Sequence, residues 1–338
     1  MKDLVFIQSC PDDDYYIWQT HLWLESLKNI GKSEKAISLI FTPNNREQNT
    51  RWKSLESLYP ESEFFYLKDE DNLTKLIGIY ISIPRPYMLK KYFQLHPELK
   101  EKAIFYSDCD VLFTDKFNVD KYIDDDVNYV SNTLSYISDK YFDSKIKDVI
   151  PEKLEEYKQR DILNETCKLV GVSREIAEIN SGNSGGAQYL LKNIDYKFWD
   201  KCITDCIRIR LHLQNVNKQF FNSENKGFQS FCADMWAVLW GLWYKEVDVK
   251  IVPEMDFAWA SDGIKRIEEV GIYHNAGITS KFRGETPLFY KGLYHSGNSP
   301  FKDSHLELVY NNDESKKLAN WYYVSKLIEL KNKYSTTY

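Results

Sequence analysis

The chain has 338 residues, enough for one large domain or two modest ones and ample for a core. Hydrophobic residues make up 43% and charged residues 28%, the balance of a soluble globular protein. Lys+Arg 44 against Asp+Glu 50 leaves a net charge of −6, which argues against a strong sequence-independent grip on nucleic acid. No run of about 18 apolar residues marks a membrane span. The opening "MKDLVFIQSC" is too briefly apolar for a signal peptide, so a cytoplasmic protein is expected. The six cysteines lack paired zinc spacings and read as reduced structural thiols. The glycosylation patterns at Asn72 and Asn164 therefore read as chance. Aromatic content is 15%, and aromatics fill cores or line sites that stack bases and sugar rings.

In chain order, residues 4–8 read as a strand. Residues 15–29 read as an amphipathic helix with Trp18, Leu22 and Ser26 on one face and Gly31 as its stop. A strand at 36–42, a helix at 48–59 and a short strand at 64–67 follow. Pro86 sits near the start of a helix over 87–95, where proline is tolerated. Residues 103–107 form a fourth strand. Strands alternating with helices predict an α/β fold, a mostly parallel sheet covered by helices. Residues 139–172 are polar and Lys/Glu-rich, helical around 152–169, and read as a surface insertion. The glycine-rich "SGNSGG" spans 181–186. A long helix is expected over 196–213, a very apolar one over 228–242, a strand over 248–252 and a closing amphipathic helix over 313–333. No repeat, low-complexity linker or clear domain boundary appears.

The fourth strand leads into "AIFYSDCDVLFTDKF" (103–117), where two carboxylates flank one residue at a strand end. Ligands of such sheets bind beyond the carboxyl ends of the strands. Asp108 and Asp110 repel each other unless a cation or a proton intervenes, and carboxylate oxygen suits Mg²⁺ or Mn²⁺. The bland alternative is a turn, because D-x-D is common after strands. A divalent ion there bridges to a diphosphate and neutralises a leaving group.

"YSDCDVLF" resembles the D-x-D element of metal-dependent glycosyltransferases of the GT-A fold, which has a Rossmann-like central sheet. "VFIQSCPDDDYYIWQTHLWLESLKNIG", "IPRPYMLKKYF", "NSGGAQYLL", "FCADMWAVLWGLW", "VDVKIVPEMDFAWASD" and "IYHNAGI…FYKGLY" follow in order. Together they are similar to a subgroup that includes plant hydroxyproline O-arabinosyltransferases and their microbial and viral relatives. The resemblance implies a single domain. Residues 1–115 would bind the nucleotide sugar and 176–305 would form the acceptor and catalytic half, with 139–172 a helical insertion and 313–333 the C-terminal helix. It implies that Asp108 and Asp110 hold Mn²⁺ or Mg²⁺ against a nucleotide-sugar diphosphate, most simply a UDP-sugar. His274 would complete the shell, with His295 as second choice. Lys291 would lie against the diphosphate, and Arg85 and Lys90 would contact phosphate or donor. Gln8, Ser9 and Tyr16 would lie near the nucleoside. Asn183 and the backbone of Gly185 and Gly186 would face the sugar.

Each of these residues has a plainer reading: a surface or core histidine, an Arg85 paired with an acidic neighbour, a solvated Lys291, a Tyr16 in the core. An inverting transferase needs a base near the acceptor hydroxyl. Asp234, before the apolar helix, is the first candidate, its alternative being an N-cap. Glu254, Asp256 and Asp262 are weaker. The expected activity is hexosyl or pentosyl transfer to a hydroxyl. The resemblance implies as candidate acceptor a hydroxymethylated pyrimidine of viral DNA, for which Lys201, Arg208 and Arg210 would supply a small basic face, with a peptide or glycan as the alternative. Two other readings compete. "GNSGG" fits the serine-hydrolase G-x-S-x-G with Ser184 as nucleophile, provided a strand precedes it and a helix follows. A catalytically silent sugar-nucleotide-binding module is the other.

Overall fold

The computed structural model describes residues 2–71, 73–279, 286–295 and 297–334, so the Asn72 pattern lies outside the described residues. The strands are β1 (Leu4–Pro11), β2 (Ala36–Thr42), β3 (Glu63–Lys68), β4 (Ala103–Ser107), β5 (Val111–Phe113), β6 (Asn128–Asn132), β7 (Gly185–Leu191), β8 (Val249–Ile251), β9 (Phe257–Trp259) and β10 (Ile272–His274). The main helices are α1 (Asp14–Asn29), α2 (Arg51–Leu58), α3 (Pro84–Leu95), α4 (Ile162–Val170), α5 (Tyr196–Phe221), α6 (Ala233–Tyr244), α7 (Ser304–Asn311) and α8 (Ala319–Lys333). Seven strands form one sheet in the order β3-β2-β1-β4-β7-β6-β8, and three form a second, β5-β10-β9. The α/β class follows. The order 3-2-1-4 is that of a doubly wound sheet. No described helix is long and apolar enough to cross a membrane. None of the six cysteines forms a disulfide, and all are buried.

Backbone contacts divide the chain into two compact units, each made of discontinuous segments. The aspartate-bearing unit comprises Val5–Lys68, Ser107–Lys121 and Glu254–Tyr338. In it β1, β2 and β3 pair in parallel, with Gln8 opposite Ser38 and Ile40 opposite Tyr66. β2 is buried along its whole length, as strands covered on both faces are. The three acidic residues after β1 are consumed locally. Asp12 accepts from Thr42 Oγ1 (2.9 Å), Asn49 N–H (3.0 Å) and Trp52 Nε1 (2.7 Å). Asp13 caps α1 by accepting from Tyr15 N–H at 2.9 Å. Asp14 takes Asn49 Nδ2 and Arg51 Nη1, both at 2.7 Å. The expected face of α1, with Trp18, Leu22 and Ser26, is buried. Trp18 and Leu22 join Phe289, Tyr294, Tyr323 and Leu327 in one aromatic-rich core.

The helical unit comprises Met1–Leu4, Asp69–Tyr106 and Tyr122–Pro253. β6 runs antiparallel to β7 and parallel to β8. Several expected limits shift. α3 begins at Pro84, α5 continues to Phe221 and α6 begins only at Ala233. The closing helix, expected over 313–333, begins only at Ala319 as α8, after a short 3₁₀ turn at Ser315–Lys317, and a separate helix, α7, precedes it. Residues 139–172 are helical in short pieces, but the expectation of a surface element is wrong. Ile162, Leu163, Thr166, Cys167 and Val170 of α4 are buried, and Phe142 packs on Phe228 with ring centroids 5.0 Å apart. Charged residues on the outer face concealed that inner stripe. α4 is capped by Asp161, which accepts from Asn164 N–H, and ends at Gly171 with φ +78°, the left-handed stop glycine favours.

Candidate metal centre

The centre is built by two short strands. β4 ends at Ser107, Asp108-Cys109-Asp110 turns the chain, and β5 resumes at Val111. β10 pairs antiparallel with β5, setting His274 opposite Val111. Asn275 N–H donates to the Asp110 carbonyl at 3.0 Å and extends that register into the turn. β9 pairs with β10 in parallel and sets Trp259 beside His274, where the rings stack at 5.9 Å and 15°. The imidazole is thus held on a strand and against an indole rather than on a mobile loop.

Asp108, Asp110 and His274 each offer a ligand atom, and these atoms lie within 4.8 Å of one another. His274 Nε2 is 3.5 Å from Asp110 Oδ1 and 3.9 Å from Asp108 Oδ2. Asp110 and His274 are buried, whereas Asp108 keeps a partly exposed edge. Lys291 Nζ forms an ion pair with Asp110 Oδ2. Burial pushes the Asp110 carboxyl up, but the charges of Lys291 and His274 more than reverse this, and its pKa falls well below the usual range. Burial likewise pushes the Lys291 ammonium down, and Asp110 more than restores it. The pair is therefore ionised. Two carboxylates and one imidazole, at least one carboxylate reachable from solvent, fit a divalent cation of the Mg²⁺ or Mn²⁺ type.

The other expected residues are distributed as follows. His295 is not in the cluster; its ring stacks on Tyr15 at 3.9 Å. Gln8 is buried and donates from Nε2 to Thr20 Oγ1 at 3.3 Å. Ser9 is buried, and its Oγ meets no partner among the described residues. Tyr16 is half-buried with its ring edge-on to Tyr15 at 4.9 Å. Glu254 pairs with Lys121 at 2.5 Å, Asp256 pairs with Arg266, and Asp262 accepts from Trp259 N–H at 2.9 Å. The three weaker base candidates are thus engaged in local structure.

In the helical unit Asp234 is not the N-cap of α6; Cys232 is, and Asp234 sits in the first turn. Its Oδ2 pairs with Arg85 Nη2 at 2.8 Å, the plainer reading of that arginine. Its Oδ1 lies 2.6 Å from Tyr80 Oη, a residue only 1% exposed that the sequence reading missed. The same hydroxyl is 2.7 Å from the Phe231 carbonyl and accepts from Asp234 N–H at 3.1 Å. Lys90 pairs with Asp200 at 2.7 Å. Asn183 Oδ1 accepts from Ile251 N–H at 3.3 Å. Gly185 is needed for packing: a Cβ there would lie 2.4 Å from the Ser131 carbonyl oxygen. A Cβ on Gly186 would lie 2.7 Å from Tyr189 Oη. Ser184 is buried, follows a 3₁₀ turn and precedes β7. That order reverses the strand–nucleophile–helix elbow, and the serine-hydrolase reading falls with it.

No protein-family model and no curated protein matches the chain. Among solved structures it is similar to the apo form of the WbbM bifunctional glycosyltransferase, at 11% identity and TM-score 0.44. That match covers 96% of this chain and 51% of the other, so the chain spans about half the length of that protein. It is also similar to the apo form of mouse xyloside xylosyltransferase 1, at 11% identity and TM-score 0.41, over 82% of this chain and 100% of that one.

Proposed function

We propose that the chain is a metal-dependent glycosyltransferase of GT-A type that transfers a hexose or pentose from a nucleotide sugar, most simply a UDP-sugar, to a hydroxyl. The observation that carries the reading is the convergence of Asp108 and Asp110, at the carboxyl end of a sheet strand, with His274 from a distant strand. Metal-free turns have no need of that third residue. An imidazole in the set favours Mn²⁺ over Mg²⁺. When bound, the cation supplies Lewis-acid neutralisation of the departing diphosphate. Asp110, buried and ionised, fixes the position of the centre, and the more exposed Asp108 closes it from the solvent side. Trp259 holds the His274 ring in place. Lys291 adds positive charge for the diphosphate. Gln8, Ser9 and Tyr16, near the carboxyl end of β1, belong to the nucleoside side. Arg85, Lys90, Asn183, Gly185 and Gly186 belong to the donor side, although their engaged side chains and packing glycines give that role less support.

Asp234 is the acceptor-side carboxylate. With Arg85 on one oxygen and Tyr80 at the other, its carboxylate is fixed in orientation and suits holding the acceptor hydroxyl. A peptide or glycan acceptor is favoured over modified DNA. Lys201 pairs with Asp205, Arg208 donates to the Leu169 carbonyl and Arg210 donates to Ser230 Oγ, so the candidate basic face is committed to internal structure. The silent-module reading is disfavoured by the complete ligand set.

The test is thermal stability against a panel of nucleotide sugars, with and without Mn²⁺, in wild type and Asp110→Asn. A ligand that binds only the native state at about a hundred times its Kd adds roughly 2.7 kcal/mol. A rise that needs both Mn²⁺ and one nucleotide sugar, and that Asp110→Asn abolishes, is expected. Turnover assays with peptide, glycan and hydroxymethylated DNA acceptors then separate the acceptor classes. No shift with any donor, in folded protein, refutes the reading.

A further inference from the structure

Asp110 is the most deeply buried carboxylate of the centre, and both its oxygens face a basic group, Oδ1 toward His274 and Oδ2 toward Lys291. A cation takes carboxylate oxygen at about 2.0–2.6 Å. Lys291 Nζ already occupies the approach to Oδ2. Two carboxylates and one ammonium leave the centre with one net negative charge when His274 is neutral. A divalent ion added to that set leaves one net positive charge, with an ammonium at Oδ2 and a metal on the His274 side competing for the same buried carboxylate. Like charges at this separation repel strongly where water is excluded. An incoming anion removes the excess and offers the ammonium a new partner.

From this geometry, and resting on the metal-centre reading above, we propose that Lys291 is the resident counter-ion of the metal-free centre. A divalent ion must displace its ammonium from Asp110. The displaced ammonium is stabilised only by the anionic ligand that arrives with the metal, so Lys291 couples metal binding to diphosphate binding. Metal alone therefore binds weakly, and a nucleoside lacking phosphate does nothing to improve it. By linkage, the metal strengthens diphosphate binding by the same factor that diphosphate strengthens metal binding.

The experiment is Mn²⁺ titration of the 338-residue chain, followed by the electron paramagnetic resonance signal of free Mn²⁺. It is run alone, with uridine and with uridine diphosphate, on wild type, Lys291→Met, Lys291→Gln and Asp110→Asn. Thermal melts confirm that each variant is folded. Removing the competing ammonium is expected to tighten binding of Mn²⁺ alone by about tenfold or more. It is also expected to shrink the further tightening by uridine diphosphate, while uridine has no effect on any form. If wild type binds Mn²⁺ and both Lys291 variants bind it alone with equal or lower affinity, Lys291 is not a competing counter-ion and the inference is overturned. If Asp110→Asn binds Mn²⁺ as well as wild type, or wild type binds none even with uridine diphosphate, the metal-centre reading itself falls and takes the inference with it.

Discussion

His21 offers a quantitative test of the packing of α1. Its side chain is 0% exposed, its ring meets Tyr59 edge-on at 5.5 Å, and it lies 4.7 Å from the ring of Tyr334. Burial lowers its pKa from 6.5 to about 3; Glu25 opposes the fall and Lys333 adds to it. The folded protein therefore keeps His21 neutral while the unfolded chain binds a proton as pH drops through 6.5. Stability from this group is fully present above 6.5 and drains away between 6.5 and about 3. The slope approaches about 1.4 kcal/mol per pH unit, and between pH 7 and pH 5 the loss comes to about 2 kcal/mol. Urea unfolding of wild type and His21→Gln at both pH values isolates the term, because the other titrating groups cancel in the double difference. The variant should lose about 2 kcal/mol less than wild type on acidification. Equal losses would show that His21 titrates normally in the fold and that the packing around it is looser than described.

Two other substitutions test packing around residues expected to serve the site. Gly185→Ala drives a Cβ into the Ser131 carbonyl and should cost about 1–3 kcal/mol, read as a fall in urea midpoint at unchanged m-value; a neutral result would return Gly185 to a purely functional role. Tyr80→Phe removes the hydroxyl beside Asp234 and the Phe231 carbonyl and should cost about 1–3 kcal/mol. It should also raise KM for the acceptor more than it lowers kcat, whereas a loss confined to kcat would favour proton abstraction by Asp234.

The aspartate turn was legible because it needs only local information: an apolar strand, two carboxylates and an apolar restart. β1, β2 and β4 were legible for the same reason, each being a short run of strand-forming residues with a clear stop. His274 was not legible from periodicity, since three residues of β10 carry too little pattern; only the ordered resemblance pointed to it. The pairing of Lys291 with Asp110 and of Arg85 with Asp234 depends on the folded chain bringing distant residues together. Tyr80 lies in "LIGIYISIP", where isoleucines at every second position mimic a strand and set Tyr80 on the opposite face, although no strand forms there, so the pattern gave no sign of its burial. The core face of residues 139–172 was masked because its apolar residues are spread over several short helices, each too brief for a period to register. The division into units was unreadable because each is assembled from segments interleaved along the chain.

That interleaving sets a timetable for folding. Asp108 and Asp110 belong to the middle segment of their unit, and β10 lies in the last, after Pro253. Closing so long a loop is entropically slow, and contacts of this separation form late. During synthesis the two aspartates emerge well before their histidine exists, so the metal cannot template the early fold. Affinity for a divalent cation at the proposed centre should appear only once β10 pairs with β5, so it would report a late step of folding.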